Sequence, residues 1–209
     1  MANGFDGLLF DLDGTLVDND DQYMEGVLSC VGERLGRGLT VEQARDLWYS
    51  RGAPTREEVI RGWGLDPDEF WKVFNELDTE ENRLAHTYLH GDVVVLREIR
   101  LPKAIVTHTP QELTRKILER VGISDMFSAV VSCDECSGWK PSPLPVIYAL
   151  AELGLQPTRA LFIGDTASDV AAAQDAGVAS AILDRNGWQR DLSADYYLGS
   201  LRELPALLG

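Results

Sequence analysis

Two stretches of this chain place paired acids at the ends of apolar runs. Leu8-Leu9-Phe10-Asp11-Leu12-Asp13-Gly14-Thr15 is the first. Leu161-Phe162-Ile163-Gly164-Asp165-Thr166-Ala167-Ser168-Asp169 is the second, far downstream. Four carboxylates gathered at one point repel each other where the dielectric is low. A hard divalent cation offsets that repulsion, and oxygen ligands of this kind suit Mg²⁺. Mg²⁺ beside a reactive Asp points to phosphoryl transfer. Asp11 would attack phosphorus as a carboxylate nucleophile, splitting the transfer into two steps. Asp13, where Gly14 turns the chain, would protonate the departing oxygen and later take a proton from water. An Asp beside Gly also fits a plain turn or cap.

Other residues fit the same chemistry. Thr107 ends an apolar run, with Thr109 close behind, and its hydroxyl and nearby backbone N–H groups can hold phosphoryl oxygens. Lys140 precedes Pro141-Ser142-Pro143, which fixes its loop. An ammonium there would offset the charge of nucleophile and phosphate, an effect that grows in a dry site. Asp169 stands four residues after Asp165 across a strand-to-helix turn, so both can face one ion. Ser168 is a candidate cap for the helix that follows. Cys133 and Cys136 form a lone C-x-x-C, and with no second pair for zinc they read as small residues at a strand end.

These residues need strand ends to carry them. Gly7–Asp11, Lys103–Thr107, Ala129–Ser132, Ala160–Gly164 and Ser180–Leu183 read as short buried strands. Gln111–Val121, Leu144–Leu153 and Ala167–Ala176 read as the helices between the later ones, with Gly122, Gly154 and Gly177 as stops. The alternation implies an α/β domain with a doubly wound parallel sheet and ligands at the strands' carboxyl ends. Residues 19–90 show no convincing strand. Met24–Leu35, Val41–Tyr49, Arg56–Gly62 and Pro67–Tyr88 have helical periodicity, more than one crossover needs. This insertion reads as an all-helical lid with Trp48, Trp63, Phe70, Trp71 and Phe74 in its core. Asp18–Asp21 and Tyr88–Asp92 are its expected hinges.

A chain of 209 residues accommodates one such domain and an insert. Its net charge of −15 argues against nucleic acid as a partner. No apolar run is long enough for a membrane span and no secretory pattern opens the chain, so a cytoplasmic location without a membrane partner is expected. Three cysteines without framework spacing agree with a reducing compartment. The 16 acids and 8 bases of residues 18–90 make positive charge in a lid loop notable, and Arg51 and Arg56 flank the loop Gly52-Ala53-Pro54-Thr55. Arg51 is the candidate to clamp a substrate carboxylate or phosphate.

Asp11-Leu12-Asp13-Gly14-Thr15 resembles the first motif of the haloacid dehalogenase superfamily of phosphohydrolases. Thr107, Lys140-Pro141-Ser142-Pro143 and Gly164-Asp165 with Asp169 follow in the family's order, so the resemblance covers nearly the whole chain. It implies a Rossmann-like core (residues 1–18 and 91–209) and a helical cap (residues 19–90). It further implies Asp11 as nucleophile, Asp13 as acid and base, and catalytic roles for Thr107 and Lys140. Phosphate or substrate would meet Thr107, Gly14, His108 and Arg51. Mg²⁺ would lie among Asp11, the Asp13 carbonyl, Asp165 and Asp169. One departure stands out: the family commonly has Asn where this chain has His108, which could hydrogen-bond substrate or serve as a spacer. The segment Arg97–Lys103 is also shorter than usual.

By the same resemblance, members that cleave carbon–halogen or carbon–phosphorus bonds lack the second Asp. Asp13 therefore favours hydrolysis of a small phosphate monoester of the phosphoglycolate kind, acting on a small phosphorylated metabolite as monomer or homodimer. Two alternatives stay open from the residues: a sugar-phosphate mutase of β-phosphoglucomutase type, and a non-catalytic binding member of the fold.

Overall fold

The structure is a computed structural model. It describes residues 4–48, 55–132, 134, 136, 138–187 and 192–209, without the side chains of residues 41, 45 and 48. Strand β1 (Gly7–Phe10) turns into β2 (Val17–Asn19). Helices α1 (Asp21–Arg34), α2 (Val41–Trp48), α3 (Arg56–Gly62), α4 (Pro67–Leu77) and α5 (Glu80–His86) lead to β3 (Thr87–Leu89). Strands and helices then alternate as β4 (Lys103–Thr107), α6 (Gln111–Arg120), β5 (Ala129–Ser132), α7 (Leu144–Leu153), β6 (Ala160–Gly164), α8 (Ala167–Asp175), β7 (Ala179–Leu183), β8 (Tyr196–Leu198) and α9 (Leu204–Leu208). The chain forms two compact units, Met1–Asp18 with Leu89–Gly209, and Asn19–Tyr88.

In the first unit six parallel strands lie in the order β5-β4-β1-β6-β7-β8. Alternate residues face opposite sides of the sheet. Leu9, Val106 and Phe162 belong to one core with Val146, Ala149 and Leu150 of α7 and Ala172 and Ala173 of α8. Leu8, Phe10, Ile105, Leu161 and Ile163 are equally buried, with the Phe10 ring edge-on to Phe127 at 6.1 Å. Burial of both faces is why these strands read as continuous apolar runs rather than alternating ones. Strand β1 is the switch point: the chain proceeds to β4 and β5 on one side and to β6, β7 and β8 on the other. Ligand sites of open α/β sheets lie outside the carboxyl ends at such a point. Asp11 follows β1, Thr107 closes β4, and Asp165 follows β6.

The second unit is built from capped helices around an apolar cluster. Asp20, Thr55, Asp66 and Thr79 each accept a bond from a backbone N–H at the start of α1, α3, α4 and α5. Leu28, Val31, Leu47, Ile60, Phe70 and Phe74 form the buried centre, and Trp63 joins them. Trp71 packs edge-on to Phe70 at 5.2 Å, while the Trp48 side chain lies outside the described part.

Three sequence expectations need correction. Pro67–Tyr88 is not one helix but α4 and α5. Thr79 Oγ1 accepts the Asn82 N–H at 3.3 Å and starts a new helix, the local capping that competes with helix continuation. A strand does occur in the stretch from 19 to 90, since β3 pairs with β2 in a two-stranded sheet. Strand β8 was also not anticipated, because three residues at a sheet edge carry too little pattern to recognise.

Candidate active site

Asp11 is the first residue past β1, and its backbone N–H donates to the Ile163 carbonyl at 2.9 Å. That bond ties the carboxylate's own backbone to β6. The Lys140 ammonium reaches it from the Pro-rich loop: Nζ lies 2.6 Å from Asp11 Oδ1, 2.6 Å from Asp169 Oδ1 and 3.1 Å from the Val106 carbonyl. All three ammonium donors are used, and Lys140, Asp11 and Asp169 are all buried. A buried charge of either sign is tolerated only when paired in this way.

Asp169 has a second attachment. Its Oδ2 accepts from the Thr166 backbone N–H at 3.0 Å and from Thr166 Oγ1 at 2.7 Å. The helix α8 therefore begins with a capping box. Thr166, not Ser168, is the N-cap, and the Thr-x-x-Asp spacing was a readable signal for it. Asp165 lies beside the first acidic loop, where Thr15 Oγ1 donates to its Oδ1 at 3.1 Å. Glycine is required on both sides of this cluster. A Cβ on Gly14 would fall 2.3 Å from Asp165 Oδ2, and one on Gly164 would fall 2.4 Å from Asp169 Cγ.

The Asp13 carboxylate is held by a threonine. Its Oδ2 accepts from Thr109 Oγ1 at 2.6 Å. Thr109 in turn donates its backbone N–H to Thr107 Oγ1 at 3.0 Å, and its carbonyl accepts from Thr114 Oγ1 at 3.1 Å. Thr109 thus has a placement that sequence reading, which favoured Thr107, did not assign. His108 is half-buried, its ring 5.5 Å from that of Trp139. Arg51 and Cys133 lie outside the described residues. Cys136 is buried with its Sγ 3.4 Å from the Gly138 carbonyl.

Sequence reading missed Arg185. It follows β7 by two residues, at the carboxyl edge of the sheet. Its guanidinium donates to the Gly14 carbonyl at 3.0 Å and the Thr15 carbonyl at 2.9 Å. It also forms a fork to Asp92, at 2.8 and 3.2 Å. Two charged residues immediately after a buried strand, Asp184 and Arg185, were the available signal.

Burial raises the Asp11 carboxyl from 3.8 to about 7, assisted by Asp169 and Asp13 and opposed by Lys140. Burial acts the same way on Asp169, but Lys140 and the Thr166 bonds outweigh it and hold that carboxyl below its ordinary value. For Lys140 burial works against the charge, yet Asp11 and Asp169 keep it above its ordinary value. An ammonium alone therefore leaves Asp11 short of positive charge.

That deficit bears on whether a divalent cation fits. Asp11, Asp165 and Asp169 offer oxygens that all lie within 4.8 Å of one another. Hard oxygen donors at this separation suit a small cation that keeps some of its waters. The donor set fits Mg²⁺, although both Asp169 oxygens already carry hydrogen bonds.

The chain belongs to the haloacid dehalogenase-like hydrolase family, whose model matches residues 8–183. It is thus a hydrolase of that family, with the parallel core sheet and helical insertion described above. A phosphoglycolate phosphatase of Pectobacterium atrosepticum is 30% identical over 187 residues, 83% of this chain and 78% of the relative. A solved haloacid dehalogenase-family phosphatase of Thermococcus onnurineus is 27% identical, with a TM-score of 0.71 over 98% of each chain. A crystal structure from Lactobacillus plantarum reaches a TM-score of 0.81 over 99% of this chain and 100% of its own. At 24% identity that likeness concerns the fold. No helix among the described residues is long and apolar enough to cross a membrane.

Proposed function

We propose that this hydrolase is a Mg²⁺-dependent phosphatase acting on a small organic phosphate monoester through an aspartyl-phosphate on Asp11. The observation that carries this reading is the Lys140 ammonium seated between Asp11 and Asp169 at 2.6 Å from each, with the Asp165 oxygens in the same cluster. The phosphatase relatives support it, and one of them being a phosphoglycolate phosphatase makes 2-phosphoglycolate the first substrate to try.

Asp11, Asp165 and Asp169 would hold the cation with the Asp13 carbonyl, and Asp169 also orients Lys140. When bound, the ion supplies positive charge against the phosphoryl oxygens. The remaining steps belong to side chains. An Asp11 oxygen forms a bond to phosphorus as the ester P–O bond breaks. The Asp13 carboxyl gives its proton to the departing alkoxide. Water then attacks the aspartyl-phosphate, Asp13 takes its proton, and the Asp11–phosphorus bond breaks to release inorganic phosphate. Lys140 keeps Asp11 aimed and offsets charge throughout. Thr107 and Gly14 would line the phosphate position. The helical unit is the proposed cap, with Arg51 as its candidate contact to substrate and His108 as the core's.

A panel of phosphorylated metabolites with Mg²⁺, 2-phosphoglycolate included, tests the reading. Release of inorganic phosphate is expected, with loss of at least about 10³-fold in Asp11→Asn. Activity that survives this substitution removes Asp11 as the attacking group.

A further inference from the structure

We infer that Arg185, locked by Asp92, is the positioning residue for the turn that carries Asp13. This rests on the reading of Asp13 as general acid. One guanidinium takes the consecutive carbonyls of Gly14 and Thr15. These are the two residues that follow Asp13. They are also the two that meet Asp165, Gly14 by contact and Thr15 by its hydroxyl. The turn has its own internal bonds, Gly14 N–H to the Val17 carbonyl at 2.8 Å and Leu16 N–H to the Leu12 carbonyl at 2.8 Å. Those bonds fix its shape, but they do not fix its orientation against the sheet. Arg185 does so from the segment that follows β7, while Thr109 holds the Asp13 carboxylate.

The lock on Arg185 is itself fully bonded. Asp92 receives two guanidinium bonds, the Ser200 hydroxyl at 3.0 Å and the Leu201 N–H at 3.0 Å. Both side chains are largely shielded, at 18% and 10% exposure. A planar fork with five donors can make four bonds at once, to two carbonyls and both oxygens of a carboxylate, one more than the three donors of a lysine allow. The clamp therefore joins four separated segments: the turn after β1, the return from the helical unit at Asp92, the segment after β7 that carries Arg185, and the segment after β8. A displacement of about 1 Å at a reacting group costs on the order of 10²-fold in rate.

The effect should depend on the leaving group. An alkyl phosphate needs its departing oxygen protonated, whereas p-nitrophenyl phosphate leaves as a stable anion with little help. For Arg185→Lys with Mg²⁺, kcat on 2-phosphoglycolate or glycerol 2-phosphate should fall about 10- to 100-fold. On p-nitrophenyl phosphate it should fall less than about threefold, with KM little changed on either. Asp92→Asn, which keeps the volume and weakens the fork, should give the same selectivity at smaller size. Circular dichroism and melting temperature certify the fold of each variant. Asp13→Asn is the reference. If it shows no selectivity between leaving groups, the general-acid reading fails. If it is selective while Arg185→Lys and Asp92→Asn slow both ester types equally, or neither, the positioning role is overturned.

Discussion

Gly14 and Asp165 are in direct contact across the two acidic loops. A side chain's first carbon at Gly14 would sit 2.3 Å from Asp165 Oδ2, and the Gly14 backbone has φ of +85°. The turn can therefore approach the second carboxylate only as glycine. Gly14→Ala is expected to cost about 1–2 kcal/mol through the backbone alone and to push Asp165 out of the cluster. Activity should drop at least about 10²-fold while circular dichroism stays native; near-normal turnover would show that Asp165 tolerates displacement.

Lys140 is the cation that makes two buried carboxylates tolerable. Lys140→Met should destabilise the protein by about 3–5 kcal/mol at neutral pH, because charge is left unpaired. The loss should shrink at low pH, where Asp11 and Asp169 can take up protons. Urea unfolding of wild type and variant at pH 5 and pH 8 checks this, and an equal loss at both would mean the pairing is not what stabilises.

The sign of the Asp11 effect is opposite to that of a usual salt-bridged acid. Its carboxyl is raised from 3.8 to about 7 in the folded state. The folded protein then binds more protons than the unfolded chain across that window, so this residue lowers stability as pH rises through it. Without metal, Asp11→Asn should melt about 5 °C above wild type at pH 8, and the gap should close towards pH 4. Melting curves in chelator across this range provide the measurement.

Mg²⁺ binding has a readout that does not need turnover. Ligand that binds only the folded state adds about 2.7 kcal/mol at 100 times its dissociation constant. Wild type should therefore melt higher with Mg²⁺, and Asp165→Asn should lose most of the shift. A shift retained in full would move the ion away from Asp165.

Thr109 holds the Asp13 carboxylate through one hydroxyl. Thr109→Val, of nearly the same shape, should slow hydrolysis of an alkyl phosphate about tenfold, and Thr109→Ser should restore most of the rate. Equal rates in all three proteins would confine Thr109 to packing.

The residues themselves determined the sheet's central strands and the identity of the acids. Apolar runs at Gly7–Phe10, Lys103–Thr107 and Ala160–Gly164 can be stable only as strands buried on both faces. Acids just past two such strands and a threonine closing the third have few bland explanations. Sequence could not reveal which hydroxyl meets Asp13, because Thr107 and Thr109 differ by two residues and only the turn after β4 decides between them. Nor could it reveal Arg185, whose carbonyl partners at Gly14 and Thr15 and carboxylate partner at Asp92 are joined only by folding. Local propensity and periodicity are written in neighbouring residues. Long-range hydrogen bonds depend on strand order and register, so the tertiary structure alone decided them.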